Sequence, residues 1–279
     1  MFKKFIAAAL TLSCALALCG SMAKSKAEGG ISLPIIMYHH ISTAPERCGD
    51  YVVSPETLEG DFKYLSENGY TAISLKQLLA YVNGEYALPE KSVMISFDDG
   101  QESFGVYALP LLEKYNMCAV MAIVGRFTDF YTEFEDHNIA YSYFSWSDLR
   151  ELVKSPRVEL SVHTYDMHDM GSRRGCKINA GESKENYTAA FSADLERVER
   201  CFVSALGEKP CAFAYPYGLY CEEAKEILMA RGYKIMFTCD QAVNTLTGDP
   251  NELLSLGRFN RPNSAERIGF FNKLGIKQG

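Results

Sequence analysis

Basic residues are in deficit. Against 35 aspartates and glutamates stand only 28 lysines and arginines, for a formal charge of −7. Nucleic-acid-binding surfaces are normally basic, so this balance argues against such a partner, while a neutral or cationic one stays compatible. Tryptophan occurs once and histidine five times, so imidazole chemistry has few places to be. No two cysteines have the Cys-x-x-Cys spacing, which argues against a cysteine-ligated zinc site. No apolar run reaches the roughly 20 residues of a confident membrane span, and no internal repeat or low-complexity tract is present. What is there, 47% hydrophobic and 23% charged residues, is ordinary for a folded globular protein.

The start of the chain carries an address. Lys3 and Lys4 precede an apolar run from Phe5 to Leu18, and the small residues Ser21 and Ala23 follow. That pattern is a secretory signal peptide ending at Ala23, so residues 1–23 are expected to be removed and the protein exported, extracellular or at the cell surface. Cys19 follows Leu18, where a lipidation motif would have a small residue. Residues 24–30 read as a short polar linker and residues 31–279 as one domain. Seven cysteines remain after cleavage, an odd number that leaves at least one unpaired.

Strand-like and helix-like stretches then alternate. LPIIMY, SVMISF, AVMAIVG, VELSVH, CAFA and KIMFTC are short apolar runs. Between them, SPETLEGDFKYLSENG has Ser54 as an N-cap, Pro55 at the first helical position and Asn68-Gly69 as a stop. SFGVYALPLLEKYN is a helix interrupted by Pro110, and Phe191, Leu195, Val198, Phe202 and Ala205 form one face of a long helix. Such alternation implies a mainly parallel sheet covered by helices, as a barrel or a doubly wound sheet. Two stretches break the rhythm, about 125–145 and the polar run from Met170, and read as long loops.

Two strand ends carry chemistry. In ISFDDG, Asp98 and Asp99 close an apolar strand, successive strand side chains face opposite ways, and Gly100 permits a sharp turn. Two carboxylates held this close repel, and a divalent cation relieves the repulsion. In SVHTYDMH, His163 and His168 lie five apart. On a helix that places them about 140° from each other, so only a strand end running into a loop presents both to one ion. One aspartate with two histidines suits a catalytic zinc with open positions, and suits ferrous iron as well. His40 and His137 read as ordinary surface or loop residues.

These residues resemble a family. SFDDG looks like the first motif of the NodB-homology polysaccharide deacetylases (carbohydrate esterase family 4), HTYDMH like their second, and AYPYG, Ala214 to Gly218, like their third. FSWSDL, with Trp146, resembles the step before the second motif. LPIIMYHHIS and the five-residue histidine spacing are closest to the exported poly-N-acetylglucosamine deacetylase branch, and the likeness runs from about Leu33 to Arg261. The resemblance implies a distorted parallel (β/α) barrel and metal-dependent removal of N-acetyl groups from an acetylated polysaccharide. By motif position, Asp99, His163 and His168 would hold a divalent metal, zinc first, and Asp98 would be the general base. The backbone N–H of Tyr215 would stabilise the oxyanion, and Tyr217, Pro216 and Trp146 would line the sugar site. Two departures matter. The arginine that opens the family's third motif is missing, and Arg258 is expected to reach Asp98 instead. No histidine follows His168, so His39 is expected to protonate the leaving amine. Removal of O-acetyl groups, and a silent carbohydrate-binding module on the same barrel, are the competing expectations.

Overall fold

The structure, a computed structural model, describes residues 30–278. The signal peptide, Cys19 and linker residues 24–29 lie outside the described residues. Eight strands form the main sheet: β1 (Ile35–Tyr38), β2 (Thr71–Ala72), β3 (Ser92–Phe97), β4 (Ala119–Ile123), β5 (Val158–Val162), β6 (Ala212–Ala214), β7 (Ile235–Phe237) and β8 (Phe259–Asn260). All are parallel. Their order is β7-β6-β5-β4-β3-β1-β8, with β2 paired to the start of β3. The sheet curls until its edges meet: Phe237 of β7 bridges in parallel to Leu256, three residues ahead of β8. It is a distorted parallel barrel.

The strands read as continuous apolar runs because both faces are buried. Along β3, Val93, Ile95 and Phe97 pack with the helices, while Met94 belongs to a second cluster on the other face. β4 alternates likewise, Met121 and Ile123 against Val120 and Ala122. The helical layer is α1 (Pro55–Glu67), α2 (Leu75–Val82), α3 (Leu109–Lys114), α4 (Gly125–Phe134), α5 (Trp146–Leu152), α6 (Lys184–Leu206), α7 (Glu222–Ala230) and α8 (Arg267–Lys273). Ser54 caps α1 as expected, its side chain accepting from the Thr57 N–H. Among the described residues no helix is long and apolar enough to cross a membrane.

Two expectations change. The helix interrupted by Pro110 is a π-turn over Phe104–Ala108 that hands over to α3 at Leu109, with the Leu109 N–H bonded back to the Phe104 carbonyl. Proline has no N–H to give the preceding turn, and the wider turn absorbs the defect. The stretch from 125 is not all loop, since α4 occupies 125–134. Its N-terminus has no side-chain cap and is tied down instead by Gly125 N–H to Thr164 O and Arg126 N–H to Tyr165 O. Those donors find partners 39 residues away, which local patterning does not reveal.

One ionic node joins the ends of the domain. Asp61 on α1, fully buried, accepts from Arg261 Nε at 2.7 Å, Arg267 Nε at 2.9 Å and the Tyr38 hydroxyl at 3.1 Å. It ties α1 to β1 and to the segment around α8. Asp61→Ala would leave the buried Arg261 without its counter-charge, and is expected to cost about 3–5 kcal/mol in urea unfolding. Lys63→Ala, which breaks only the exposed pair with Glu67, is expected to change stability by less than about 0.5 kcal/mol. A loss below about 1 kcal/mol for Asp61→Ala would show that the node is not structural.

Candidate active site

The site forms at the carboxyl ends of the strands. Ser96 precedes Asp98 on the β3 face opposite Ile95 and Phe97. On β5, Leu160 and Val162 face the helices, so Ser161 and then His163 project the other way. Each motif next takes a left-handed residue: Asp99 at φ 74°, Thr164 at φ 68° and Tyr217 at φ 57°. Non-glycine residues seldom adopt this conformation, and a cluster of them marks backbone held for function. Gly100 follows at φ 83°, where a Cβ would stand 2.8 Å from Ile123 Cδ1.

His163 Nε2 lies 3.8 Å from Asp99 Oδ1 and 3.9 Å from Asp98 Oδ2, and His168 Nε2 lies 3.2 Å from Asp99 Oδ1. Single donor atoms of Asp99, His163 and His168 all fall within 4.8 Å of one another. The His163 tautomer follows from its neighbour. Nδ1 is 2.7 Å from the Ala214 carbonyl, which can only accept, so the proton sits on Nδ1 and Nε2 offers a lone pair. Burial pushes the His163 pKa down to about 4, which keeps the ring neutral. A lone pair therefore faces two carboxylates, and the buried Asp99 Oδ1 is met only by His168 Nε2. Burial would raise the Asp99 pKa, but His168 and the other histidines around it bring it below the ordinary value. For His168 burial works downward and Asp99 overcomes it, lifting the pKa. The neutral Nε2 of His163, the Nε2 of His168 and a carboxylate oxygen of Asp99 converge on one point, so the donor set fits a divalent cation.

Asp98 stands apart from that trio. Arg258, with 0% exposure, donates Nη1 to Asp98 Oδ1 at 2.6 Å and Nη2 to Oδ2 at 2.9 Å, and its Nε donates to the Thr238 carbonyl at 3.0 Å. Burial raises the Asp98 pKa, Arg258 and then His163 lower it, and the net result lies well below the usual carboxylate range. His39 is near enough for its charge to lower both aspartates. Its ring meets Tyr51 edge-on at 5.0 Å, and its buried Nδ1 has no hydrogen-bond partner.

Several residues sit elsewhere than expected. The Tyr215 N–H is spent in the sheet, donating to the Phe237 carbonyl at 3.0 Å, so it cannot meet an oxyanion. Pro216 has no N–H. The turn at 216–218 is closed by Gly218 N–H to Tyr215 O and Leu219 N–H to Pro216 O, leaving the Tyr217 N–H outside the turn's own bonds. The Tyr217 hydroxyl lies 3.2 Å from His168 Nδ1. Trp146, 8% exposed, is not at the mouth. Its indole packs edge-on against Phe202 and donates to Asp129 Oδ1 at 2.7 Å, held there by the start of α5. The aromatics beside the histidines are Phe127, 5.9 Å from His168, and Tyr143, whose hydroxyl pKa is pushed up to about 12 by burial and then by Asp99. Neither stands in a motif, and only the antiparallel bridge of Tyr143 to Gln101 brings it there. His40 is buried rather than on the surface, its Nδ1 3.0 Å from Ser103 Oγ. His137 pairs with the buried Glu102 at 2.6 Å.

A family model described as polysaccharide deacetylase matches residues 85–236. The poly-beta-1,6-N-acetyl-D-glucosamine N-deacetylase of Escherichia coli K12 is 30% identical over 210 residues, which cover 68% of this chain and 31% of that protein. Its namesake in Staphylococcus aureus MRSA252 is 28% identical over 196 residues, 70% of this chain and 64% of that one. The match thus spans less than a third of the first relative and under two thirds of the second. The solved de-N-acetylase from Aggregatibacter actinomycetemcomitans superposes with a TM-score of 0.71 at 24% identity, covering 87% of this chain and 99% of that one. IcaB from Ammonifex degensii gives 0.71 at 24%, covering 90% and 99%. At these identities the likeness is one of fold, and the shared fold is this barrel.

The Arg258 fork generates a prediction with a sign. A carboxylate with a depressed pKa stabilises the fold at neutral pH, and the gain fades as pH falls. In Arg258→Met, burial acts on Asp98 without its guanidinium, the carboxyl pKa rises, and acidification now favours the folded state. With metal chelated, the variant is expected to lose about 3–5 kcal/mol at neutral pH and to regain part of it at about pH 5. Equal losses at both pH values, read from urea unfolding, would contradict the coupling.

Proposed function

We propose a function from one premise: the chain belongs to the polysaccharide deacetylase family. The chain is read as an exported, metal-dependent hydrolase that removes N-acetyl groups from N-acetylglucosamine units of a polysaccharide, of the poly-beta-1,6-linked kind named for its relatives. The observation that carries the reading is the arginine-clamped Asp98 beside the Asp99, His163 and His168 cluster. An arginine that orients the base, next to a three-ligand metal set, suits hydrolysis of an amide by activated water.

Asp99, His163 and His168 would hold the cation, zinc by its donor set. Bound there, it would supply Lewis acidity to the acetyl carbonyl and lower the pKa of water. The remaining work falls to the chain's own groups. Asp98 accepts the proton of the attacking water. Its low basicity is the cost of the Arg258 fork, which in return keeps the carboxylate ionised and aimed. The oxyanion is met by the Tyr217 N–H, in place of the Tyr215 N–H expected from sequence. The Tyr217 hydroxyl orients His168 through Nδ1, as second partners of metal-bound imidazoles do. His39 delivers a proton to the leaving amine, and the Tyr217 ring with Pro216 borders the sugar.

Acetate release from N-acetylglucosamine oligomers tests the assignment. Asp98→Asn is expected to lower kcat about 10²–10⁴-fold with metal content unchanged, and chelation to abolish release until zinc is restored. His39→Gln is expected to lower kcat while keeping metal, and full rate in that variant would remove His39 from the role. Release only from O-acetylated xylan would transfer the site to ester chemistry. No release from any glycan, with no bound metal, would leave a binding module. Export is tested by sequencing the N-terminus of the secreted protein, with cleavage expected after Ala23.

A further inference from the structure

Helix α4 turns its amphipathic pattern inside out. Phe127, Phe130, Tyr131 and Phe134 recur at the i, i+3, i+4, i+7 spacing that ordinarily marks a core-facing stripe. Yet the residues α4 buries are Gly125 and Thr128, while Phe130 is 51% and Phe134 59% exposed. The helix rests on its small side. A Cβ at Gly125 would come 2.7 Å from the Tyr165 ring and 3.1 Å from Val198, so close approach to the layer beneath demands glycine there. The aromatic side is left outward.

Those rings are continuous with the candidate active site. Ring centroids step from Phe134 to Phe130 at 4.5 Å, to Tyr131 at 5.2 Å, to Tyr143 at 5.6 Å and to Phe127 at 4.7 Å. From Phe127 the path reaches His168 at 5.9 Å and ends on Tyr217 at 4.7 Å. The charges at its outer end are acidic. Glu133, Glu135 and Asp136 flank that end, while Arg126, whose guanidinium lies 5.5 Å from the Phe127 ring at the inner end, is paired with Asp166 at 2.9 Å. Aromatic faces bordered by carboxylates disfavour anionic surfaces. They suit neutral sugar rings, whose C–H faces stack on them, and sugars carrying free ammonium groups. The seven residue-to-residue steps of helix from Phe127 to Phe134 rise about 10 Å, room for roughly two pyranose units beyond the reacting one.

We propose that the ring path from Tyr217 to Phe134 is a binding track for the chain of an aminosugar polymer, engaging units on one side of the one being deacetylated. The ligand class rests on the deacetylase reading. The track predicts tighter binding of long chains than of short ones, and its acidic border favours chains on which some amines are already free.

The test uses Phe130→Ala, Phe134→Ala and the double variant, all at exposed positions, with unchanged unfolding midpoints as the control. Binding of an N-acetylglucosamine disaccharide and hexasaccharide is measured by calorimetry with metal chelated, so that binding is read without turnover. Wild type is expected to bind the hexasaccharide at least tenfold more tightly than the disaccharide. The double variant is expected to lose most of that advantage with disaccharide binding unchanged, and KM for the hexasaccharide to rise about tenfold at constant kcat. Equal binding of both lengths by wild type, or no effect of the substitutions, would overturn the track. So would retention of wild type but not of the double variant by phosphatidylglycerol–phosphatidylethanolamine vesicles, which would make the face a membrane contact. The two readings can fail separately. Ring-dependent hexasaccharide binding without acetate release would sustain the track and end the deacetylase reading, and acetate release indifferent to chain length and substitution would do the reverse.

Discussion

Asp98 holds its charge in a place with 3% exposure to solvent, where Arg258 answers it through both guanidinium nitrogens. An unpaired carboxylate at this depth would take up a proton, and no base would exist. The two residues are 160 positions apart in sequence, so their meeting requires the whole sheet to curl between β3 and the segment that leads into β8. The fork also bonds to the barrel. Arg258 Nε holds the Thr238 carbonyl at the end of β7, and Nη1 lies 3.4 Å from Ser96 Oγ on β3. One side chain thus fastens the seam of the barrel and sets the charge state of its most reactive carboxylate.

The same division runs through the rest of the site. The strands supply rigid ends, and the strained residues just beyond them re-aim the side chains. Asp99, Thr164 and Tyr217 all take the left-handed conformation, each at or beside a group of the cluster. Such strain persists only where surrounding packing over-determines the backbone. Here that packing is the apolar sheet, wholly buried along β3 and β4. His163 is anchored through Nδ1 to the backbone of β6 and His168 approaches the Tyr217 hydroxyl through Nδ1, so both present Nε2 toward Asp99 with ring orientation set from behind.

Much of this was legible in the chain. Parallel strands buried on both faces must be continuous apolar runs, which is why SVMISF could be read as β3 to the residue. Ser54 and Pro55 marked the start of α1 because capping is a local hydrogen-bond problem. α4 escaped notice because its first donors bond to Thr164 and Tyr165, and because its aromatic stripe does not face the core. Trp146 looked available for a sugar, being the only tryptophan beside a motif, yet its neighbours in space are Phe202 and Asp129. Tyr215 was assigned the oxyanion by its place in AYPYG. A sheet ladder takes its N–H, and the proline after it moves the next available donor to Tyr217.

By itself the sequence determined the residue types and their order: paired aspartates and spaced histidines at the ends of apolar strands, in an alternation that demands a parallel sheet. These follow from local rules, the two-residue period of strands and the end-group chemistry of helices. Tertiary structure alone decided which backbone N–H groups remained free, which tautomer His163 adopts, and that the aromatics of α4 run from the cluster to the surface. Each depends on contacts between residues far apart in the chain, where geometry in three dimensions governs hydrogen bonding, burial and charge.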